Sequence, residues 1–154
     1  MDIESKVLQA RENFMKGYNC AQAVAMSFAP ELGLPEAQVA LLASGFGGGM
    51  GRLREVCGAM SGAVLVYSGV KGYSDPENPE EKKRTYARIQ RIGAGFKERF
   101  GSCICREILA GLAAAKSTSP AAESRTAQFY AERPCLRCVE TAARLAAQLL
   151  SEEA

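Results

Sequence analysis

The residues of this 154-residue chain that could do chemistry are its six cysteines: Cys20, Cys57, Cys103, Cys105, Cys135 and Cys138. The chain contains no histidine. That absence excludes histidine-based acid–base catalysis, Ser-His and Cys-His nucleophiles, HExxH metal sites and haem attachment at a CxxCH motif. The cysteine spacing, one CxC pair and one CxxC pair, fits neither a zinc ribbon nor the compact ferredoxin runs. Site chemistry must therefore use thiols, and their spacing by itself predicts no particular metal.

Four of the cysteines are predicted to lie in the first turns of helices: Cys20, Cys57, Cys105 and Cys135. Unpaired backbone N–H groups and the positive end of the helix dipole stabilise anions at that position. We therefore expect these thiols to have lowered pKa values, which suits a nucleophile or a metal ligand. If the four helix starts converge, the thiols form a pocket for a cation, an iron–sulfur cluster or a disulfide relay.

The other two cysteines, Cys103 and Cys138, are interpreted first as small buried apolar side chains, because free cysteine is among the most buried residue types. Cys138 nevertheless completes the sequence PCLRC, a CxxC at a predicted helix start. Such a pair can cycle between dithiol and disulfide. The βαβ pattern that usually surrounds a redox CxxC is missing.

Residues 45–62 hold seven of the fifteen glycines. They contain no complete GxGxxG and no GK[ST], and no strand precedes them, so no nucleotide site is expected. Gly47, Gly48 and Gly49 form either a flexible turn or a loop whose backbone approaches a bound group. For Gly58 and Gly62 we favour close helix packing.

These residues must be positioned by helices, because apolar residues recur with helical spacing along the chain and no period-two pattern appears. We predict an all-α single domain, residues 1–154, with six to eight helices. The predicted segments are 3–16, 20–28, 35–43, 56–70, 79–100, a short helix near 105, 121–133 and 135–150. In segment 79–100 we expect a buried face and a solvated face, made respectively of Tyr86, Ile89, Phe96 and Phe100 and of Arg84, Arg88 and Arg91.

Composition excludes several classes of protein. A net charge of +2 is too balanced to argue for a nucleic-acid partner or an acidic membrane surface. The uncharged run of residues 56–70, which no other uncharged run exceeds in length, is shorter than the roughly 20 residues that span a bilayer, and the charged N-terminal residues do not resemble a signal peptide. We expect no stable membrane insertion and a cytoplasmic location. There, cysteines serve metal binding or catalysis more often than structural disulfides.

Five stretches carry a family resemblance: GYNCAQAV, GFGGGMG, VCGAMSG, FGSCICREI and RPCLRCV. In this order they resemble the redox-active protein family named for its C_GCAxxG_C_C cysteine pattern. The resemblance implies a redox function, with Cys20, Cys57, Cys105 and Cys135 as the functional positions. It also implies a functional link to a transporter, because family members are often encoded near transporter genes. In this chain the central cysteine precedes the glycine, and Cys103 and Cys138 are additional to the four.

Three functions are compatible with these residues. The first is electron transfer through an iron–sulfur cluster ligated by the four cysteines, placed slightly ahead of dithiol–disulfide exchange with an unknown redox partner. In it, the loop of Gly47, Gly48 and Gly49 lends N–H groups to the sulfur atoms. The second is non-enzymatic binding or trafficking of a soft metal such as zinc by the same thiolates. The third is a structural protein with inert thiols. No reaction is identified, so whether the protein is an enzyme stays open.

Overall fold

The computed structural model describes residues 1–152, and the regular structure of these residues is helical apart from one isolated bridge between Val56 and Ile104. The described residues form nine α-helices, of which six have seven or more residues: α1 (Ile3–Met15), α2 (Cys20–Met26), α3 (Ala29–Leu32), α4 (Glu36–Ala43), α5 (Gly58–Lys71), α6 (Pro79–Phe100), α7 (Cys105–Ile108), α8 (Ala127–Glu132) and α9 (Cys135–Glu152). Two short 3₁₀ helices cover Ser44–Phe46 and Ala113–Lys116. The all-α prediction is confirmed. The number of α-helices is one above the predicted six to eight, because the sequence pattern does not separate the shortest helices from their neighbours.

Helix starts follow the capping residues that the sequence places there. Asn19 accepts the N–H of Gln22, whose side chain in turn accepts the N–H of Asn19, so α2 begins with a complete capping box. Asn78 caps α6 in the same way through the N–H of Glu81, with Pro79 at the first helical position. These caps fix where α2 and α6 begin.

The core is built where α5 packs against α2 and α9, with α1 and α6 completing the layer around them. Val24 of α2, Val66 of α5 and Val139 of α9 are fully buried at these contacts. Gly62 lets α5 approach α2 closely, because a Cβ atom there would lie 2.8 Å from the carbonyl oxygen of Ala21. The helix-packing interpretation of Gly62 is therefore confirmed.

The predicted helix 121–133 is wrong in its first half, since α8 begins only at Ala127, capped by Thr126. Residues 117–126 run without regular structure. Within residues 121–126, Glu123 forms ion pairs with Arg52 and Arg133, and Arg125 donates to the carbonyl oxygens of Phe14 and Tyr18. A long-range contact thus replaces local helix formation, which residue periodicity could not reveal.

The two faces predicted for segment 79–100 also need correction. Tyr86 is 51% exposed and contacts Tyr73 at the surface, whereas Phe96 is fully buried. The guanidinium of Arg84 donates to the hydroxyl oxygen of Tyr67 at 3.0 Å and to the carbonyl oxygen of Lys71 at 2.9 Å. Because Tyr67 is fully buried, its hydroxyl needs such a partner, and this draws Arg84 inward.

Two other boundaries differ. The second predicted helix ends at Met26, and Pro30 lies in the first turn of the separate helix α3. Pro35 is the N-cap residue of α4, just before its first turn. None of the helices within residues 1–152 is both long enough and apolar enough to cross a membrane.

Candidate functional site

The four cysteines selected from the sequence line one cavity of about 340 Å³. Cys20, Cys105 and Cys135 are the first residues of α2, α7 and α9, and Cys57 is the N-cap residue of α5. The prediction of first-turn positions is confirmed for Cys20, Cys105 and Cys135, and Cys57 lies one residue before the first turn of α5. The structure also places a fifth cysteine, Cys138, in the cavity wall.

Cys103 is not among the residues that line this cavity. Its sulfur donates to the carbonyl oxygen of Gly93 at 3.4 Å, on the side facing α6. Cys103 therefore lies two residues from a site cysteine and yet outside the site.

Each of the four thiols at the helix starts interacts electrostatically with the other three. Burial of the sulfur, followed by the charge of Cys57, raises the pKa of Cys20 to about 12. The pKa of Cys135 is likewise raised to about 12, by burial and then by Cys20. Burial also raises the pKa of Cys105, although Arg54 opposes the shift. The four sulfurs are thus one mutually repelling set whenever they lose their protons.

The expected lowering of these thiol pKa values is therefore wrong in direction. The N–H groups at the helix starts do act as predicted: those of Ala59 and Met60 lower the pKa of Cys57. A hydrogen bond with Cys138, followed by burial, outweighs them and raises the Cys57 pKa well above its ordinary value. Removing a thiolate from water costs more free energy than hydrogen bonds from one or two backbone N–H groups recover. At neutral pH the metal-free thiols are protonated.

The glycine loop comes close to the cysteines themselves. The N–H of Gly48 is directed at the sulfur of Cys20 and lowers its pKa. A Cβ atom at Gly49 would lie 2.7 Å from the Cβ of Cys105, and Gly49 has a φ of 74°. Only glycine satisfies both conditions without strain. Gly47, Gly48 and Gly49 all line the cavity, and their contact with a bound group stays a prediction.

The same loop contains strained residues that are not glycine. Met50, Arg52 and Arg54 have φ values of 73°, 67° and 61°. The left-handed conformation costs a residue with a side chain about 1–2 kcal/mol. Such strain persists where surrounding contacts fix the conformation, and the arginine side chains supply those contacts.

Arg52, Arg54 and Arg133 converge on the carboxylate of Glu123. The Arg52 guanidinium lies 2.5 Å and the Arg133 guanidinium 3.1 Å from its oxygens. Arg54 is 3.4 Å from Glu123, and its second Nη atom donates to the sulfur of Cys105 at 3.8 Å. These contacts tie residues 117–126 to the glycine loop and close one side of the cavity.

Four arginines line the cavity, namely Arg52, Arg54, Arg125 and Arg133, and Glu123 is the one acidic residue in the lining of the described chain. This excess of positive charge favours anionic thiolates over thiols. Sequence reasoning missed these residues. The arginines belong to no recognisable sequence motif, and Glu123 is 71 residues away from Arg52 along the chain.

We expect Glu123→Gln to destabilise the protein at neutral pH. Hydrogen bonds from Arg52, with a further contribution from Arg133, lower the Glu123 pKa to about 2, against an ordinary 4.5. A lowered pKa contributes stability above pH 4.5, and this contribution is lost as the pH falls towards 2. Because Glu123 is one-third exposed, we expect a loss of only about 1–2 kcal/mol at pH 7. Urea unfolding at pH 7 and at pH 3 measures it.

The control for this variant is Glu4→Gln, which removes a carboxylate from an exposed ion pair with Arg144. It should change stability less than Glu123→Gln at pH 7. Equal stability of the Glu123→Gln variant and the wild type at pH 7 would contradict the prediction. So would a difference between them that grows towards pH 3.

All six cysteines are free thiols. Within residues 1–152, no three cysteine, aspartate or glutamate side chains are already grouped in a way that could hold a metal ion. The site is a set of thiols that line one cavity, with backbone N–H groups and arginines directed at them.

Comparison with known proteins gives one match. The model of the family described as "Putative redox-active protein (C_GCAxxG_C_C)" matches residues 18–149, which include all six cysteines. No curated protein matches the chain. No solved structure matches it either.

Proposed function

Because the chain belongs to this C_GCAxxG_C_C family of redox-active proteins, we propose that it transfers electrons and that Cys20, Cys57, Cys105 and Cys135 hold an iron–sulfur cluster. A cluster of this kind takes four cysteine thiolates and supplies one-electron oxidation and reduction. The observation that carries the proposal is the mutual interaction of all four thiols within one cavity.

The chemistry of the donor set fits such a group. The four cysteines line one cavity, although no three of them are spaced as metal ligands in the described residues, and the raised pKa values of Cys20 and Cys135 express burial together with mutual repulsion of the thiolates. Metal cations relieve that repulsion and replace the thiol protons. The site therefore favours a cationic centre over four separate thiolates.

The surrounding residues support the same function. The N–H of Gly48 is directed at Cys20, and the Arg54 guanidinium donates to Cys105. Donors to ligand sulfurs and nearby positive charge stabilise the more reduced, more negative state and so raise a reduction potential. Cys57 and Cys105 are each only 8% exposed, which shields the site from water.

Dithiol–disulfide exchange through these four residues has less support. An attacking cysteine works as its thiolate, and exchange is fastest when its pKa is near the ambient pH. The pKa values of Cys20 and Cys135 are raised to about 12. Zinc ligation by the same thiolates, in a binding or trafficking protein, is distinguished by the experiment below. Both the cytoplasmic location and the link to a transporter remain part of the proposal, as does the unidentified redox partner.

The test is metal and sulfide analysis of protein purified without oxygen. We expect roughly two to four irons per chain with matching acid-labile sulfide. Cys105→Ser should lower the iron content at least about tenfold, since loss of a ligand should cost no less than loss of a residue that supports one. Cys103→Ser is the matched control: it makes the same change two residues away, outside the cavity, and should keep its iron.

About one zinc per chain without iron would move the assignment to a closed zinc site. Equal iron content in the two serine variants would contradict the assignment of Cys105 as a ligand. Circular dichroism of both variants separates loss of the cluster from loss of the fold.

A further inference from the structure

The side chain of Asn19 makes two kinds of contact beside Cys20. Its Oδ1 accepts the N–H of Gln22 at 2.9 Å, and the Oε1 of Gln22 accepts the N–H of Asn19 at 3.1 Å, which completes the capping box of α2. The Nδ2 of Asn19 takes no part in capping and donates to the carbonyl oxygen of Ser44 at 3.0 Å. One side chain therefore joins the helix start that carries Cys20 to a residue just before the glycine loop.

Gln22 binds the same neighbouring segment. Its Nε2 donates at 3.0 Å to the carbonyl oxygen of Ala40, which lies in the last turn of α4. Carbonyl groups at the C-terminal end of a helix run out of helical partners, so side-chain donors bind there readily. Asn19 and Gln22 thus connect the start of α2 to the end of α4 by two amide groups.

The Asn19 amide also explains why residue 47 is glycine. A Cβ atom at Gly47 would lie 2.6 Å from both Cγ and Nδ2 of Asn19. The backbone of Gly47 is extended, with φ −64° and ψ 148°, and residues with side chains adopt this conformation freely. The requirement for glycine is therefore spatial, because the Asn19 amide occupies the place that a side chain would take.

The sulfur of Cys20 lies against the segment that Asn19 holds. A Cβ atom at Gly58 would have three neighbours within 4 Å: the sulfur of Cys20, the carbonyl oxygen of Phe46 and the Cα of Gly47. The thiol, the end of the 3₁₀ helix and the first residue of the glycine loop therefore lie side by side. Loss of the bond to Ser44 would free Phe46 and Gly47 to move away from Cys20 and would admit water to its sulfur.

We propose that Asn19 is a positioning residue of the site, whose amide holds the glycine loop against Cys20 and so fixes this thiol away from water. Asn19 lines the cavity but supplies no ligand, and it acts through Cys20. The positioning itself does not depend on the proposed function. Its consequence for holding a cluster rests on that function, since residues that orient a ligand contribute to metal affinity.

Asn19→Ser separates the two contacts of the side chain. Serine caps a helix about as well as asparagine, and serine with glutamine three residues later is a usual capping box, so α2 should keep its start. The amide group that binds Ser44 is removed. Asn19→Thr is a second replacement of the same kind. Asn78→Ser is the matched control, because Asn78 caps α6 and is not among the residues that line the cavity.

Alkylation of the metal-free, reduced protein tests the position of Cys20. The chain is treated with iodoacetamide for increasing times and digested with trypsin, which places Cys20 in peptide 17–52 and Cys138 in peptide 138–144. We expect Cys20 to react roughly five- to tenfold faster in both Asn19 variants, the factor by which loss of one hydrogen bond raises the population of opened forms. Cys138 in these variants, and Cys20 in Asn78→Ser, should react as in the wild type.

The two peptides distinguish a local effect from a general one. A wild-type rate at Cys20 in both Asn19 variants would overturn the proposal. Equal acceleration of Cys20 and Cys138 would overturn it as well, because Asn19 would then support the whole fold instead of the position of one thiol.

Iron retention tests the consequence for the proposed cluster. Protein purified without oxygen is exposed to EDTA, and the remaining iron is measured over time. We expect Asn19→Ser to lose iron about tenfold faster than the wild type and Asn78→Ser. Equal rates would overturn the role of Asn19 in holding a ligand. If the wild type contains no iron, the proposed function fails, and the alkylation rates alone decide whether Asn19 positions Cys20.

Discussion

If the four cysteines hold the proposed iron–sulfur cluster, replacing Gly58 with alanine is expected to remove the iron almost as completely as replacing one of these cysteines. A Cβ atom at this position would lie 2.4 Å from the sulfur of Cys20 and 2.7 Å from the carbonyl oxygen of Phe46. The second contact is with the backbone of the 3₁₀ helix Ser44–Phe46, so the Cys20 thiol must move together with either this 3₁₀ helix or the start of α5. We expect a loss of about 1–3 kcal/mol in the free energy of unfolding, measured by urea denaturation, together with loss of iron measured by elemental analysis.

The control is Gly93→Ala, because Gly93 also lies in a helix but has room for a side chain. Its Cβ atom would come no closer than 3.5 Å to Met60 and 3.9 Å to the sulfur of Cys103. Alanine is the better helix former by up to about 1 kcal/mol, so this variant should keep its iron and lose no stability. A Gly58→Ala variant with normal iron content would show that Cys20 is not a required ligand or that its position is not fixed by α5.

The second large effect, a loss of stability, is expected for Phe96→Ala, because Phe96 lies in the core rather than in the site. The ring of Phe96 is fully buried, and its centroid lies 5.3 Å from that of Phe100. Removing a buried phenylalanine side chain costs about 3–5 kcal/mol, through lost burial and the cavity left behind. For a chain of this size we expect Tm to fall by about 10 °C, which a thermal melt followed by circular dichroism measures.

Tyr86→Ala is the matched control, because it removes an aromatic side chain that is 51% exposed from the same helix. Its effect on Tm should be several times smaller, since scattered surface substitutions change stability by less than about 0.5 kcal/mol. Equal decreases of Tm in the two variants would mean that Phe96 does not lie on the buried face of α6.

The positions of the four site cysteines were predicted at the level of helices and caps. Asn19 and Asn78 start their helices because a side-chain oxygen satisfies backbone N–H groups within three residues. The same local logic placed Cys20, Cys105 and Cys135 at the first residues of α2, α7 and α9. Capping and helical periodicity act over a few residues, so a single sequence carries them in readable form.

The sign of the thiol pKa shifts was not predictable in this way. The N–H groups at a helix start are predictable from the sequence, and those of Ala59 and Met60 do lower the pKa of Cys57. The opposing effects of Cys138 and of burial between α5 and α9 arise only when the helices pack. Burial depends on which helices pack against each other, so its electrostatic cost belongs to the tertiary structure.

The amino-acid sequence by itself determined the all-α fold, the places where the main helices begin, and the absence of histidine that leaves thiols as the reactive groups. The tertiary structure alone decided that Cys138 lines the same cavity as the four site cysteines, and that Glu123 pairs with Arg52, Arg54 and Arg133. The physical reason is distance along the chain. Local hydrogen bonds and side-chain periodicity are encoded within one or two helical turns, whereas the contact between Arg52 and Glu123 joins residues 71 positions apart. Such contacts form only when whole helices and the segments between them have packed.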